Sequence, residues 1–206
     1  MSKLVRPALL AALTAAGLVL LTLGTWFTVH LGVSGTATFR TTTRDGVVVL
    51  EPSVLNRVDG PVTVTAHGVH GQQLFLGVTA PADAEALVGG AQRTSVTGMR
   101  VQDWSLHSAQ AGTGSALIVA SADIWRGVAT GVNTVHLTVT QAAAPESMVV
   151  AGQDGKAPQL SSLTVTMNRS AWFVESLVTA LVGLVALLAG AYGLWRDRTR
   201  TTAKES

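Results

Sequence analysis

Cysteine is absent from this chain of 206 residues, and its absence excludes disulfide bonds, thiolate metal ligands and a cysteine nucleophile. Charge is also scarce, because Asp, Glu, Lys and Arg make up only 13% of the residues, about half the share of an average soluble domain. Disorder over most of the length is excluded, since it needs low hydrophobicity and high charge. The composition therefore suits one folded, apolar domain with accessory segments.

Two long runs of the sequence carry no charge. They cover residues 7–29 and 176–195, and about 20 apolar residues are enough for a helix to cross the hydrocarbon core of a bilayer. We therefore expect two transmembrane helices, over residues 7–32 and 171–195. A cleaved signal peptide is the alternative for the first run. Its apolar core would be only about 7–15 residues long, so the length favours an uncleaved anchor.

The flanks of the two runs predict how the chain is oriented. Basic residues precede the first run and follow the second, so the positive-inside rule places residues 1–6 and 196–206 in the cytoplasm. Residues 33–170 are then expected outside it, as an extracytoplasmic domain of a multi-pass protein of the cytoplasmic (cell) membrane. This arrangement makes the lipid bilayer the first predicted partner.

Small residues recur four positions apart in both runs, and such spacing lets helix backbones approach closely. The residues predicted to pack the helices together are Ala8, Ala12, Ala16, Ala186, Gly190 and Gly193. They lie toward the chain ends of the two runs, as expected if the helices form an antiparallel pair there. The general abundance of Ala and Gly, and an interface between copies of the chain, are the alternatives.

Between the helices the sequence is rich in Val and Thr, which favour the pleated, half-buried surface of a strand. The clearest alternation covers residues 134–140, and more continuous apolar runs suit central strands. These runs cover residues 47–50, 74–78, 116–120 and 148–151. With turn signals between them, they predict a membrane-anchored all-β fold, in which an antiparallel β-sandwich-like ectodomain lies between two transmembrane α-helices.

Three finer features of this domain are also predicted. Proline near the first turn, early acids and a Gly-Gly stop indicate a short helix over residues 81–88. The Gly-, Ser- and Gln-rich segment 88–114 is expected to hold long loops. The first strand, near Thr36, and the last, ending near Asn168, are expected to be neighbours because the paired helices hold their ends together.

Several short motifs follow one another in a set order between residues 45 and 160. They are Leu-Phe-Leu-Gly-Val-Thr-Ala at 74–80 with Asp83 and Leu87 after it, Ile-Trp at 124–125, the strand at 134–139, and Val-Val-Ala-Gly-Gln-Asp-Gly at 149–155. This order resembles an actinobacterial family of uncharacterised two-span membrane proteins with an extracytoplasmic β-rich domain. The sequence departs from the family pattern at Ala151-Gly152, where Met-Asn is usual, and at Ser147, where an aromatic residue is usual. The resemblance implies no catalytic residues.

The sequence offers no strong catalytic or metal-binding pattern. His67 and His70 would face opposite sides of a strand, and no third ligand follows at short spacing, although a zinc site needs three or four. No Gly-x-Ser-x-Gly elbow or phosphate-binding loop is present, and there is no basic stripe for nucleic acid. We therefore predict no catalytic residue, no metal and no cofactor, and no nucleic-acid partner.

Two tryptophans lie in the segment between the helices. Core packing is the ordinary interpretation of Trp104 and Trp125, and an exposed aromatic platform for a glycan or a protein is the functional one. We name them as the candidate interaction surface.

The sequence predicts a non-catalytic cell-envelope membrane protein. In this hypothesis the extracytoplasmic β domain serves as an interaction or accessory-subunit module for a membrane or envelope protein partner. A sensor that transmits a signal through the helix pair is the first alternative. An envelope enzyme or ligand-binding protein is the second.

Overall fold

The computed structural model describes residues 2–42, 46–69, 71–115, 118–140, 145–154 and 157–202. His70, Gly155 at the end of the last motif, and residues 203–206 of the expected cytoplasmic tail therefore lie outside the described residues. The chain forms two compact units, one of Met1–Thr36 with Arg169–Ser206 and one of Ala37–Asn168.

In the described residues the helices are α1 (Ser2–Leu31), α2 (Pro52–Leu55), α3 (Pro81–Val88) and α4 (Ala171–Thr202). The strands are β1 (Thr36–Thr41), β2 (Val47–Leu50), β3 (Val62–Gly68), β4 (Gln73–Thr79), β5 (Arg93–Arg100), β6 (Ser105–Ala111), β7 (Gly127–Val132), β8 (Thr134–Val139), β9 (Ser147–Gly152) and β10 (Leu160–Asn168).

The first unit contains the two helices that are long and apolar enough to cross a membrane. Within α1 the apolar stretch is Val5–Leu31, and within α4 it is Ala171–Asp197, with mean hydropathies of 2.0 and 2.2. Only 11% of each most apolar window is buried within the structure, whereas the core helix of a soluble protein would be mostly buried. The two uncharged runs of the sequence are thus helical over a membrane-spanning length.

The second unit is built on a single, mostly antiparallel sheet. Its strand order is β7-β4-β9-β2-β5-β6-β1-β10-β3-β8. The two strands at the ends of this order, β7 and β8, are consecutive in the chain with only Asn133 between them. The sheet is therefore barrel-like, and the prediction of a β-rich domain between two apolar helices is confirmed. The first strand, β1, lies beside the last, β10, as expected.

Three adjacent strands, β2, β4 and β9, are buried on both faces except at Gln73, the first residue of β4. One face of these strands is covered by α3 and by the segment that carries Val119. The cluster that joins them includes Val49, Phe75, Val88 and Val149. The interior of a strand that is buried on both faces is apolar at successive positions rather than alternating, which explains why the predicted central runs at 47–50, 74–78 and 148–151 lack alternation.

Two of the expectations for this domain are wrong. Of the predicted central strand 116–120, residues 116 and 117 lie outside the described residues, while 118–120 form no strand and instead place Val119 against the outer face of the sheet. The segment 88–114 does not consist of long loops, because it contains the antiparallel pair β5–β6. The short helix over residues 81–88, by contrast, is confirmed as α3.

Asn133 makes the joint between the two end strands. Its φ of 64° lies in the left-handed region, which asparagine tolerates better than most residues. Its Oδ1 accepts a hydrogen bond from Gly71 N at 2.6 Å, and its carbonyl accepts one from Gly68 N at 2.7 Å. The turn between β3 and β4 is thereby tied to the turn between β7 and β8.

Candidate interaction surfaces

The helices α1 and α4 meet along one continuous seam. On α1 the residues that lie at least half-buried on this side are Leu10, Thr14, Gly17, Leu21, Gly24 and Thr28, and on α4 they are Ser176, Ala180, Gly183, Leu187 and Gly190. The steps between them alternate between three and four residues, which is the heptad pattern of coiled-coil packing. The helices run antiparallel, since Gly24 lies against Ala180 and Gly17 against Leu187.

Glycine is required along this seam because the two backbones nearly touch. A Cβ atom added at Gly183 would lie 2.8 Å from Leu20 C and 2.9 Å from Gly17 O. One added at Gly24 would lie 2.7 Å from Ala180 Cα. Real Cβ atoms do not approach backbone atoms this closely. We refer to Gly17, Gly24, Gly183 and Gly190 together as the glycine seam.

Polar contacts accompany the seam at both ends. Near the end that adjoins the β domain in sequence, the Thr28 hydroxyl donates to Ser176 Oγ at 3.0 Å, and Ser176 in turn donates to Phe173 O at 2.8 Å. At the other end Arg6 Nε lies 3.5 Å from Asp197 Oδ2. Hydrogen bonds of this kind between apolar helices hold the register of the pair.

The predicted packing residues only partly coincide with the seam. Ala8, Ala12 and Ala16 are exposed on another face of α1. On α4, Ala186 is half-buried, while a Cβ at Gly190 would meet Thr14 and one at Gly193 would meet the Leu10 side chain.

The reason is geometric. A four-residue step advances about 40° around a helix, so a series of such steps leaves the contact face, whereas a seven-residue step drifts only about 20°. The seven-residue spacing from Gly17 to Gly24 and from Gly183 to Gly190 is the signal that could have identified the seam.

Trp125 packs onto the sheet. Its ring lies against Gly77, where an added Cβ would come within 2.7 Å of Trp125 Cδ2, and its centroid is 5.1 Å from that of Phe75. Its Nε1 donates to Val119 O at 3.0 Å. Half-buried in this way, Trp125 holds residues 118–126 on the outer face of β4.

Trp104 lies in the turn between β5 and β6 with a φ of 53°. Its ring centroid is 5.2 Å from that of Phe39, and its carbonyl accepts a hydrogen bond from Arg40 N at 3.0 Å. Trp104 is half-buried like Trp125.

The pKa of the adjoining Asp103 is lowered from its ordinary value. The Ser105 hydroxyl, which donates to Asp103 Oδ1 at 2.8 Å, lowers the pKa of this carboxyl, and Arg100, 3.5 Å away, lowers it further. The hydrogen bond from Ser105 to the ionised Asp103 therefore stabilises the turn that carries Trp104.

A regular polar face covers strands β3, β8 and β10. On each strand alternate residues are polar and point away from the core, and the registers place them in rows of three. The rows are Thr166-Thr63-Thr138, Thr164-Thr65-His136 and Ser162-His67-Thr134. We refer to these nine residues as the hydroxyl face. None of them is Asp, Glu, Lys or Arg.

Two hydrogen bonds within the hydroxyl face fix its side chains. Thr63 Oγ1 and Thr138 Oγ1 are 2.8 Å apart, and His67 Nδ1 and Thr134 Oγ1 are 3.1 Å apart. The sequence contained the signal for this face, namely threonine at every second position in three separate strands, but the registers were needed to bring those strands side by side.

A shallow cleft of about 190 Å³ opens where the start of β7 diverges from the end of β8. Its lining includes Val78, Leu137 and Val139, and at its rim Arg126 Nη1 lies 3.4 Å from Glu146 Oε1. The side chains that line this cleft are mainly alkyl groups and one ion pair, and the nucleophilic groups among them are threonine hydroxyls.

The histidines give no metal centre in the part of the chain that the structure describes. No three His, Asp or Glu side chains come together there. His67 bonds to Thr134 instead, and its sequence neighbour His70 lies outside the described residues.

Comparison with known proteins adds little to these surfaces. No protein-family model matches the chain, and no curated protein is significantly similar to it. Among solved structures, it is similar to a hydroquinone 1,2-dioxygenase from Sphingomonas sp. TTNP3, at 8% identity, 65% coverage of this chain and a TM-score of 0.26. The chain spans only 58% of that protein's length.

Two further structures are as distant. The surface-associated copper-binding protein CorA of Methylomicrobium album BG8 shares 11% identity over 65% of this chain and 93% of its own, with a TM-score of 0.30. The flagellar cap protein FliD of Escherichia coli shares 11% identity over 92% of this chain and 72% of its own, with a TM-score of 0.24. Likenesses at this level carry no functional argument.

Proposed function

We propose that this chain is a two-span protein of the cytoplasmic membrane that presents its β domain on the extracytoplasmic side as a non-catalytic interaction or accessory-subunit module. The glycine seam is the observation that carries the proposal. It makes one tight antiparallel pair of the two apolar helices, and the β domain is the segment of chain between them. Both ends of that domain are therefore anchored in a single unit.

The surfaces of the β domain also support binding rather than chemistry. They offer a nine-residue hydroxyl face, two half-buried tryptophans and a cleft whose charged groups are already paired. The orientation follows from the basic residues at the two chain ends. The motif order that resembles the actinobacterial two-span family is consistent with the same architecture.

Single-cysteine labelling tests the orientation, because the chain has no cysteine of its own. Thr130 is exposed on β7 and Arg196 is exposed near the end of α4. We expect Thr130→Cys to react with a membrane-impermeant maleimide in intact cells, and Arg196→Cys to react only after the cells are opened. The reverse pattern would contradict the proposed topology.

Co-purification tests the interaction role. The full chain, extracted in several mild detergents from cells in different growth states, is expected to bring a membrane or envelope protein with it in constant ratio. Recovery of this chain alone under all of those conditions would contradict an accessory-subunit role, even if labelling gives the expected topology.

A further inference from the structure

The hydroxyl face has the properties of a preformed binding surface. Neighbouring strands are about 4.8 Å apart and alternate residues along a strand about 6.7 Å apart. The nine side chains thus cover roughly 10 by 13 Å. The six threonines are β-branched and restricted in χ1, and the Thr63–Thr138 and His67–Thr134 contacts hold four of the nine in place. Little side-chain entropy remains to be lost on binding.

The chemistry of the face selects among possible partners. Nucleic acids and other polyanions are bound through Lys and Arg, and the face has neither. An apolar protein surface would leave up to nine polar groups buried without hydrogen bonds, at a cost for each group. A hydroxyl group both donates and accepts, so the best match is a partner that is itself uncharged and covered with hydroxyl groups.

We propose that the hydroxyl face binds a neutral polysaccharide of the cell envelope, which lies across β10, β3 and β8. The central residue, Thr65, has Thr164 and His136 directly opposite it on the two flanking strands, so a sugar chain along this row meets three polar groups in succession. This inference rests on the proposed function, because the β domain must face the envelope. Repetition along a polymer compensates for modest affinity at each site.

The test uses the full chain, purified in mild detergent, and beads that carry a neutral mannan, arabinan, galactan or β-glucan. Anionic alginate beads serve as the control for charge. We expect one or more of the neutral polymers to retain the protein, and alginate not to. The double variant Thr65→Val with Thr164→Val keeps the shape of both side chains and removes both hydroxyl groups. Its binding is expected to weaken about tenfold or more, because two hydrogen bonds are lost.

Two matched variants separate binding from folding. Thr65→Ser with Thr164→Ser keeps both hydroxyl groups and should retain most of the binding. Thr130→Val removes a hydroxyl from the exposed strand β7, outside the hydroxyl face, and should bind as the unaltered chain does. Equal binding by the double valine variant would overturn the proposal, as would retention on alginate alone or on no polymer. Those results leave the proposed function standing, because labelling and co-purification test it independently.

Discussion

One methyl group at Gly183 should destabilise the helix pair, although alanine is the better helix former. A Cβ there would lie 2.8 Å from Leu20 C and 2.9 Å from Gly17 O, where carbon atoms prefer about 3.5 Å or more. The two backbones would have to separate by more than about half an ångström along the seam. Overpacking of this kind costs about 1–3 kcal/mol, against a gain of about 1 kcal/mol in helix propensity. We expect Gly183→Ala to lower the stability of the pair by up to about 2 kcal/mol, the difference between these two terms.

Gly193→Ala is the matched control in the same helix. The atoms nearest to a Cβ at Gly193 belong to the side chain of Leu10, with Cδ2 at 2.6 Å and Cδ1 at 3.0 Å, and a leucine side chain can rotate away while a backbone cannot. The propensity gain should therefore remain, so that Gly193→Ala is neutral or stabilising by up to about 1 kcal/mol. The two substitutions are chemically identical, and they differ in what the new methyl group meets.

The assay uses a disulfide across the pair in a chain that has no other cysteine. Thr28 Oγ1 and Ser176 Oγ are 3.0 Å apart, so Thr28→Cys with Ser176→Cys should cross-link on mild oxidation. SDS is first added to the reduced, detergent-solubilised chain at a series of concentrations, and the fraction that cross-links on subsequent oxidation is measured. Gly183→Ala should stop cross-linking at lower SDS than the parent, and Gly193→Ala at the same or higher SDS. If both substitutions extend cross-linking to equally higher SDS, the backbones do not approach as described.

Two further predictions concern the β domain. Gly77→Ala should push the Trp125 ring off the sheet and destabilise the domain by about 1–3 kcal/mol. The displacement of the ring should shift the Trp125 resonance in ¹⁹F NMR of fluorotryptophan-labelled protein. An unchanged resonance would contradict the contact. Asp103 should titrate by NMR with a pKa below its ordinary value, and Ser105→Ala should raise it, because the Ser105 hydroxyl is the largest cause of the lowering. Because the pKa of Asp103 is lowered in the folded state, its ionised carboxylate stabilises the β domain at pH values above the ordinary Asp pKa. This stabilisation is lost as the pH falls through the lowered pKa.

Local sequence patterns were enough to predict those helices and strands whose start, end and period are set by neighbouring residues in the chain. The helix α3 follows from its proline start, early acid and glycine stop, and strands such as β8 follow from strict alternation. The segment at 118–120 is apolar as well, but its Val119 and Ala120 pack against a face of the sheet, and periodicity does not separate a short covering segment from a short central strand.

The two interaction surfaces depend on distances between segments far apart in the sequence. The glycine seam could have been inferred from the seven-residue spacing within each helix. Which face of α1 packs, the one with Gly17 and Gly24 or the one with Ala8, Ala12 and Ala16, depends however on the residues that α4 presents to it. The hydroxyl face needed the pairing of β3 with both β8 and β10, whose residues lie up to about a hundred positions apart. No local pattern contains that register.

The low charge of the sequence has a consequence for the edges of the sheet. Edge strands usually carry charged residues, proline or bulges that prevent pairing with other chains, but the end strand β7 reads Gly-Val-Ala-Thr-Gly-Val. Topology instead brings it close to the other end strand. That strand, β8, follows after Asn133 alone, and at Gly131 the backbones are so close that a Cβ would meet Thr134 O. The connection at Asn133 therefore keeps this end of β7 beside β8 without any charged residue on β7, and the Arg126–Glu146 ion pair lies at the rim of the cleft where the two strands diverge.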